Sequence, residues 1–134
     1  MKRKNDWPTE LANFLLKTRK TPFKWGENDC CLFAANAILA MGGKDVAKDV
    51  RGHYTTAIGA RRIMKSLGAA NVVELLTQRL GEPDGKLMRG AIVAVESDGQ
   101  QVAGVFYHKP WALTVNDGLQ GMPHESVIAS WSLS

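Results

Sequence analysis

Two adjacent cysteines, Cys30 and Cys31, are the only ones in the chain, and the residue types around them could do chemistry. They stand in the run Phe23-Lys24-Trp25-Gly26-Glu27-Asn28-Asp29-Cys30-Cys31-Leu32-Phe33-Ala34-Ala35-Asn36-Ala37-Ile38. This reads as an aromatic loop, a helix cap, and the first turn of a helix that is apolar on every side. An aspartate at the cap accepts hydrogen bonds from backbone N–H groups that a helix start leaves unpaired. With Asp29 in that place, Cys30 lies at the positive end of the helix dipole, which favours a thiolate over a thiol. That is one way to make a nucleophile. A cysteine hydrolase further needs a base or imidazolium, a group to orient it, and donors for the developing oxyanion.

The elements that would position these groups follow from periodicity and punctuation. Leu11, Phe14 and Leu15 after Pro8 predict a helix from Thr9 to Lys17, and the buried helix from Cys30 to Met41 is ended by Gly42-Gly43. An amphipathic helix is expected over Thr55 to Leu67, and another, capped by Asn71, over Val72 to Leu80 before Gly81 and Pro83. After Pro83-Asp84-Gly85 the texture changes. Ala91 to Val95, Gln101 to Tyr107, Trp111 to Val115 and Val127 to Leu133 read as strands, with Ser97-Asp98-Gly99 and Asn116-Asp117-Gly118 as turns. Helices first and an antiparallel sheet second predict an α+β fold in one domain over residues 1–134.

Composition bounds the function. The chain has 134 residues, 45% hydrophobic and 22% charged, enough to bury a core. No apolar run approaches the ~20 residues of a membrane span, and Met1-Lys2-Arg3-Lys4 is followed by Asn5, Asp6 and Pro8 instead of a signal-peptide apolar region. Synthesis in the cytoplasm is therefore expected. Neighbouring cysteines on one helix do not form an unstrained disulfide, and without CxxC or a Cys/His cluster no metal is expected. The net charge of +4 comes partly from Lys2, Arg3, Lys4 and the Lys17-Thr18-Arg19-Lys20 run. Those residues are not interleaved with stacking aromatics, so no nucleic acid is expected as a partner, and no phosphate cradle argues for a nucleotide or other cofactor.

The segment from Pro22 to Ala37 resembles the nucleophile motif of NlpC-type cell-wall cysteine peptidases, compact relatives of papain. Phe23, Trp25-Gly26, Asp29-Cys30 and Cys31 hold the places of its aromatic, Trp-Gly, Asp-Cys and Ser residues. Over nearly its full length the chain is also similar to a small family found among bacteriophage tail genes. The similarity lies in the WGxxDCC loop, Gly59-Ala60-Arg61, Arg89-Gly90 and Trp131. The resemblance implies a papain-like NlpC-type fold, with Cys30 as nucleophile, Asp29 as supporting residue, and Phe23, Trp25 and Gly26 lining the site.

It also implies where the other catalytic parts should be. In those enzymes the partner histidine begins a strand reading His-Val-Gly-Ile-Tyr; here the matching segment is Val102-Ala103-Gly104-Val105-Phe106, with Val102 in the place of the base. A valine neither accepts nor donates a proton. The orienting residue falls near Thr114, and Phe23 lacks the tyrosine hydroxyl often found at the oxyanion. Of the three histidines, His108 lies six residues past Val102, roughly 20 Å along an extended strand. His53 falls in a connecting loop. His124, after Pro123, is the one that a returning loop could bring near the sheet, and it is kept as the weak candidate for a displaced base.

The expected function is thus that of a phage tail-tip structural or assembly protein on an inactive peptidase scaffold, resident in the virion, with other tail proteins as partners. One alternative is an active cysteine murein peptidase or amidase that uses Cys30 on peptidoglycan. Another is a transient tail assembly chaperone.

Overall fold

In a computed structural model, which describes residues 3–133, four helices precede a five-stranded antiparallel sheet, so the chain is α+β. The helices are α1 (Trp7–Thr18), α2 (Leu32–Ala40), α3 (Ala57–Ser66) and α4 (Val72–Leu80). The strands are β1 (Ile92–Ser97), β2 (Gln100–Tyr107), β3 (Lys109–Thr114), β4 (Gly118–Gly121) and β5 (Val127–Trp131), with one 3-10 turn at His124–Ser126.

The helix boundaries have local causes. Pro8 sits in the first turn of α1, where its missing N–H costs nothing. The Thr56 hydroxyl accepts from Gly59 N–H at the start of α3, and the Asn71 side chain accepts from Glu74 N–H at the start of α4. α2 is apolar on nearly every side, with Asn36 its one polar residue, because most of it is buried: Leu32, Phe33, Ala34, Ala35, Ala37 and Ile38 are inside.

Strand order across the sheet is β4-β3-β2-β1-β5. The β1–β2 hairpin closes at the Ser97↔Gln100 pair, and Asp98 (φ 51°) and Gly99 (φ 77°) both turn left-handed, as a two-residue hairpin matching the strand twist requires. The sequence reading misses β4: it is four residues long, with glycine at both ends, too short for an alternating pattern to register. Lys109 and Pro110 belong to β3, which starts before the expected Trp111, and the regular part of α2 starts at Leu32 instead of Cys30.

The two faces of the sheet bury different things. Ile92, Ala94, Ala103, Val105 and Leu113 pack against Leu11 and Leu15 of α1, Phe33, Ala37 and Ile38 of α2, and Val72 and Leu76 of α4. Alternate residues on the same strands, Val93, Val95, Val102 and Ala112, form a second cluster joined by Cys30, Phe106, Met122 and Val127. β4 and β5 are opposite edges, so the connection through His124–Ser126 runs from one edge to the other, and Met122 and Val127 at its ends help to close this second face. Among the described residues no helix is long and apolar enough to cross a membrane.

Candidate functional site

The helix hydrogen bonding of α2 begins before its regular turns. Phe33 N–H donates to the Asp29 carbonyl at 3.0 Å, while the Asp29 carboxylate accepts from the N–H groups of Cys31 (2.9 Å) and Leu32 (2.8 Å). Asp29 is therefore the cap that the sequence predicts, and Cys30 is the first residue inside it. The other carboxylate oxygen accepts from Gly26 N–H at 2.8 Å and from the Tyr54 hydroxyl at 2.5 Å. A fully buried carboxylate with four donors is the best-connected polar group in the loop. All four partners are structural, and none is an imidazole.

The loop before the cap is a small closed turn. Lys24 and Asn28 exchange backbone hydrogen bonds of 2.9 and 2.8 Å, and Gly26 between them has φ of 85°. A Cβ there would lie 2.2 Å from the Tyr54 carbonyl oxygen, so glycine is required twice over. Phe23 and Trp25 meet edge to face at 4.9 Å between ring centroids. Trp25 packs towards Leu32, Ala35, Ala47 and Tyr54, and Phe23 towards the helix-side core, so the structure places neither in the cluster that holds Cys30.

Cys30 occupies a gap between strands. β3 pairs with β2 only as far as Gly104↔Ala112, and the next β2 amide, Ala103 N–H, donates instead to the Cys30 carbonyl at 3.0 Å. The start of α2 thus takes the place that β3 leaves. The half-buried Cys30 shares its cluster with Val102 and Ala112, one from each strand that flanks the gap. Sequence alignment by resemblance puts the base at Val102, and the fold brings Val102 and Cys30 into one cluster. Thr114 is elsewhere: its hydroxyl donates to Gly118 O across the β3–β4 hairpin at 3.3 Å, and Ala112 is the β3 residue in the Cys30 cluster.

The two thiols differ electrostatically. Cys30 is held below the usual thiol range, chiefly because the Cys31 thiol stabilises its sulfur by hydrogen bonding, against burial and the Asp29 charge. Cys31 is pushed well up by the same hydrogen bond, by burial, and by the negative charges of Cys30 and Asp29. Cys31 faces away from the sheet gap and lines an apolar cavity of about 60 Å³ between α2, α3, α4 and the 44–54 segment, with Leu32, Val46, Tyr54, Ile63 and Leu76.

The histidines fall as follows. His53 is exposed in the connection before α3. His108 is exposed in the β2–β3 turn with φ of 66°, against Tyr107. His124 is exposed on the connection between the edge strands and meets Phe106 edge to face at 5.5 Å between centroids. Phe106 belongs to the Cys30 cluster, so His124 lies one side chain away from it. No imidazole hydrogen-bonds to Cys30 among the described residues. Nor do three or more His, Cys, Asp or Glu side chains there gather as a metal site would need.

Sequence reasoning misses Tyr54. It is buried, lies 25 residues from Asp29, and its ionisation is driven far above the ordinary phenol range by burial and by the Asp29 carboxylate that it donates to. Two ion pairs hold the segment that delivers it: Arg51 to Asp45 at 2.9 Å, with a further bond to Asn36 of α2, and Arg79 of α4 to Asp49 at 2.5 Å. A tyrosine three residues after an arginine in a loop carries no periodic signal that would have found it.

Residues 2–133 match the profile of a family described as Domain of unknown function (DUF6950). No curated protein and no solved structure matches the chain.

Proposed function

We propose a function for a chain that belongs to the DUF6950 family, whose description assigns none: it is a structural or assembly protein of a bacteriophage tail tip, built on a papain-like NlpC-type scaffold that has lost its catalysis. One observation carries the loss. The residue that precedes Ala103, the partner of the Cys30 carbonyl, is Val102, and it packs with Cys30 in an apolar cluster. By the resemblance that is the place of the base that takes the thiol proton, and an isopropyl group cannot do so.

Two further features support it. Asp29 spends both oxygens on the loop and on Tyr54, leaving nothing with which to orient an imidazole. Helices before an antiparallel sheet, with the cysteine at the start of a buried helix wedged beside the second strand, are the arrangement expected of a papain-like scaffold. The tail role rests on the resemblance of the WGxxDCC loop, Gly59-Ala60-Arg61, Arg89-Gly90 and Trp131 to the tail-gene family. In this reading the protein resides in the virion and its partners are other tail proteins.

The half-buried Cys30 thiol, held below its usual range, favours a second reading as an active murein peptidase. Phage carrying Cys30→Ala separates the two. Normal tails with normal infectivity agree with the scaffold reading, whereas normal tails that no longer infect would replace it with the peptidase. Mass spectrometry of purified virions tests residence: a protein needed for tails yet absent from virions would be an assembly chaperone.

A further inference from the structure

The indole of Trp7 carries two guanidinium groups. Arg3 lies 3.8 Å and Arg89 5.6 Å from its ring centroid. Gly90 makes the arrangement possible: its φ is 87°, and a Cβ there would come within 2.6 Å of the Trp7 ring and 2.7 Å of Arg3 Nη1. Two cations brought to one ring repel each other, and the usual remedy is a carboxylate between them. No carboxylate pairs with either one among the described residues: Asp6 at the cap of α1 and Glu10 in its first turn make no ion pair, and the ion pairs there involve Lys24, Arg51 and Arg79 only. Neither guanidinium donates to a protein acceptor there, although each carries five N–H donors in a planar fork. Burial of Arg3 adds a desolvation cost that no counter-ion among the described residues offsets. The first turn of α1, which starts at Trp7, adds its positive dipole end.

We propose that Arg3, Trp7 and Arg89 form a docking site for the carboxylates of an acidic segment of a partner protein. Bidentate Arg–carboxylate pairing supplies the polar recognition, and stacking on Trp7 holds both forks in place. A protein, not a nucleic acid, fits the surroundings. Leu87 and Met88, next to Arg89 in the chain, are exposed large apolar side chains. Arginine, tryptophan and methionine together are the composition of protein interface centres, whereas nucleic-acid surfaces are more polar. The site lies on residues that play no part in the Cys30 loop, so it stands or falls apart from the loss of catalysis. It deepens the tail reading by stating the chemistry of one partner.

The test titrates the intact protein with a hexaglutamate peptide and, separately, with a single-stranded hexanucleotide, following arginine Nε–H and Trp indole resonances by NMR. The expected result is saturable shifts of Arg3, Arg89 and Trp7 with the peptide. Affinity should fall about tenfold in Arg89→Gln and in Arg3→Gln, and stay unchanged in the α3 variant Arg61→Gln/Arg62→Gln. Equal weakening in the α3 variant would reduce the effect to net charge and overturn the proposal. So would tighter binding of the hexanucleotide at the same residues, or the absence of saturable shifts. Because the titration uses the protein alone, these failures leave the tail reading untouched, and absence from virions leaves the docking site untouched.

Discussion

The Tyr54 hydroxyl donates to the Asp29 carboxylate across 2.5 Å, tying the segment before α3 to the cap of α2. Three backbone N–H groups converge on the same carboxylate, so removing it strands four donors in a buried place. Asp29→Ala should therefore cost about 3–5 kcal/mol, and Tyr54→Phe, which removes one charge-assisted bond, about 1.5–3 kcal/mol. Urea unfolding of both variants and of the double variant checks this. The double variant should cost less than the sum, because the two changes delete a shared bond.

The same pair predicts an alkaline limit. Burial and the Asp29 acceptor raise Tyr54 in the folded state above its unfolded value of about 10. The folded protein keeps a proton that the unfolded chain releases, so this contribution is complete below about pH 10 and is lost as the pH rises beyond it. Urea midpoints measured between about pH 8 and 11 should fall at the top of that range in the wild type. In Tyr54→Phe the fall should be smaller.

Gly26 and Gly52 offer a controlled comparison, since both have positive φ and Gly52 N–H donates to Gly26 O at 2.8 Å. A Cβ at Gly52 meets nothing within 4 Å, while one at Gly26 runs into the Tyr54 backbone. Gly52→Ala should cost only the left-handed conformation, about 1–2 kcal/mol. Gly26→Ala should cost clearly more and should also disturb the Asp29 cap. Thermal unfolding of the two variants, with the Tyr54 hydroxyl followed by NMR, distinguishes them.

Much of this was legible in local sequence. Asp29 before Cys30, Asn71 before Val72, and Asp98-Gly99 between β-branched runs are signals written within three or four residues, and each produces the expected cap or turn. β4 escaped because glycine at both ends of four residues leaves no alternation to read. Tyr54 escaped for a different reason: its meaning depends on the fold returning residue 54 to residue 29, held by Arg51 and Arg79 pairs that no local pattern announces. Val102 stands out in the sequence by resemblance alone. Its position beside Cys30 became physical only with the Ala103 hydrogen bond, a non-local contact between a helix start and a strand edge.

The two cysteines should separate in their reaction with iodoacetamide. Cys30 is lowered by its hydrogen bond with Cys31, and Cys31 is raised by it, so as the pH rises Cys30 is the first of the two to give up its proton. Tandem mass spectrometry after brief labelling should find the adduct on Cys30 first. In Cys31→Ala, Cys30 loses its largest stabilising partner while burial and the Asp29 charge remain, so its labelling profile should move to higher pH. An unchanged profile would show that the neighbour does not set its acidity.

Val102→His tests the lost-base assignment directly. If Val102 stands where a catalytic imidazole would, the substituted ring enters the cluster beside Cys30, and a thiolate–imidazolium pair lowers the thiol further. Cys30 labelling at about pH 6 should then exceed that of the wild type, whereas Val102→Gln, similarly polar but without a titrating ring, should not show the increase. Both variants bury a polar group among Val93, Val95 and Ala112, so both should lose stability, by about 1–3 kcal/mol. That shared loss is why the comparison rests on the pH profile of Cys30. A profile that stays with the wild type in Val102→His would mean that the ring does not reach the sulfur, and Val102 would no longer count as the place of a vanished base.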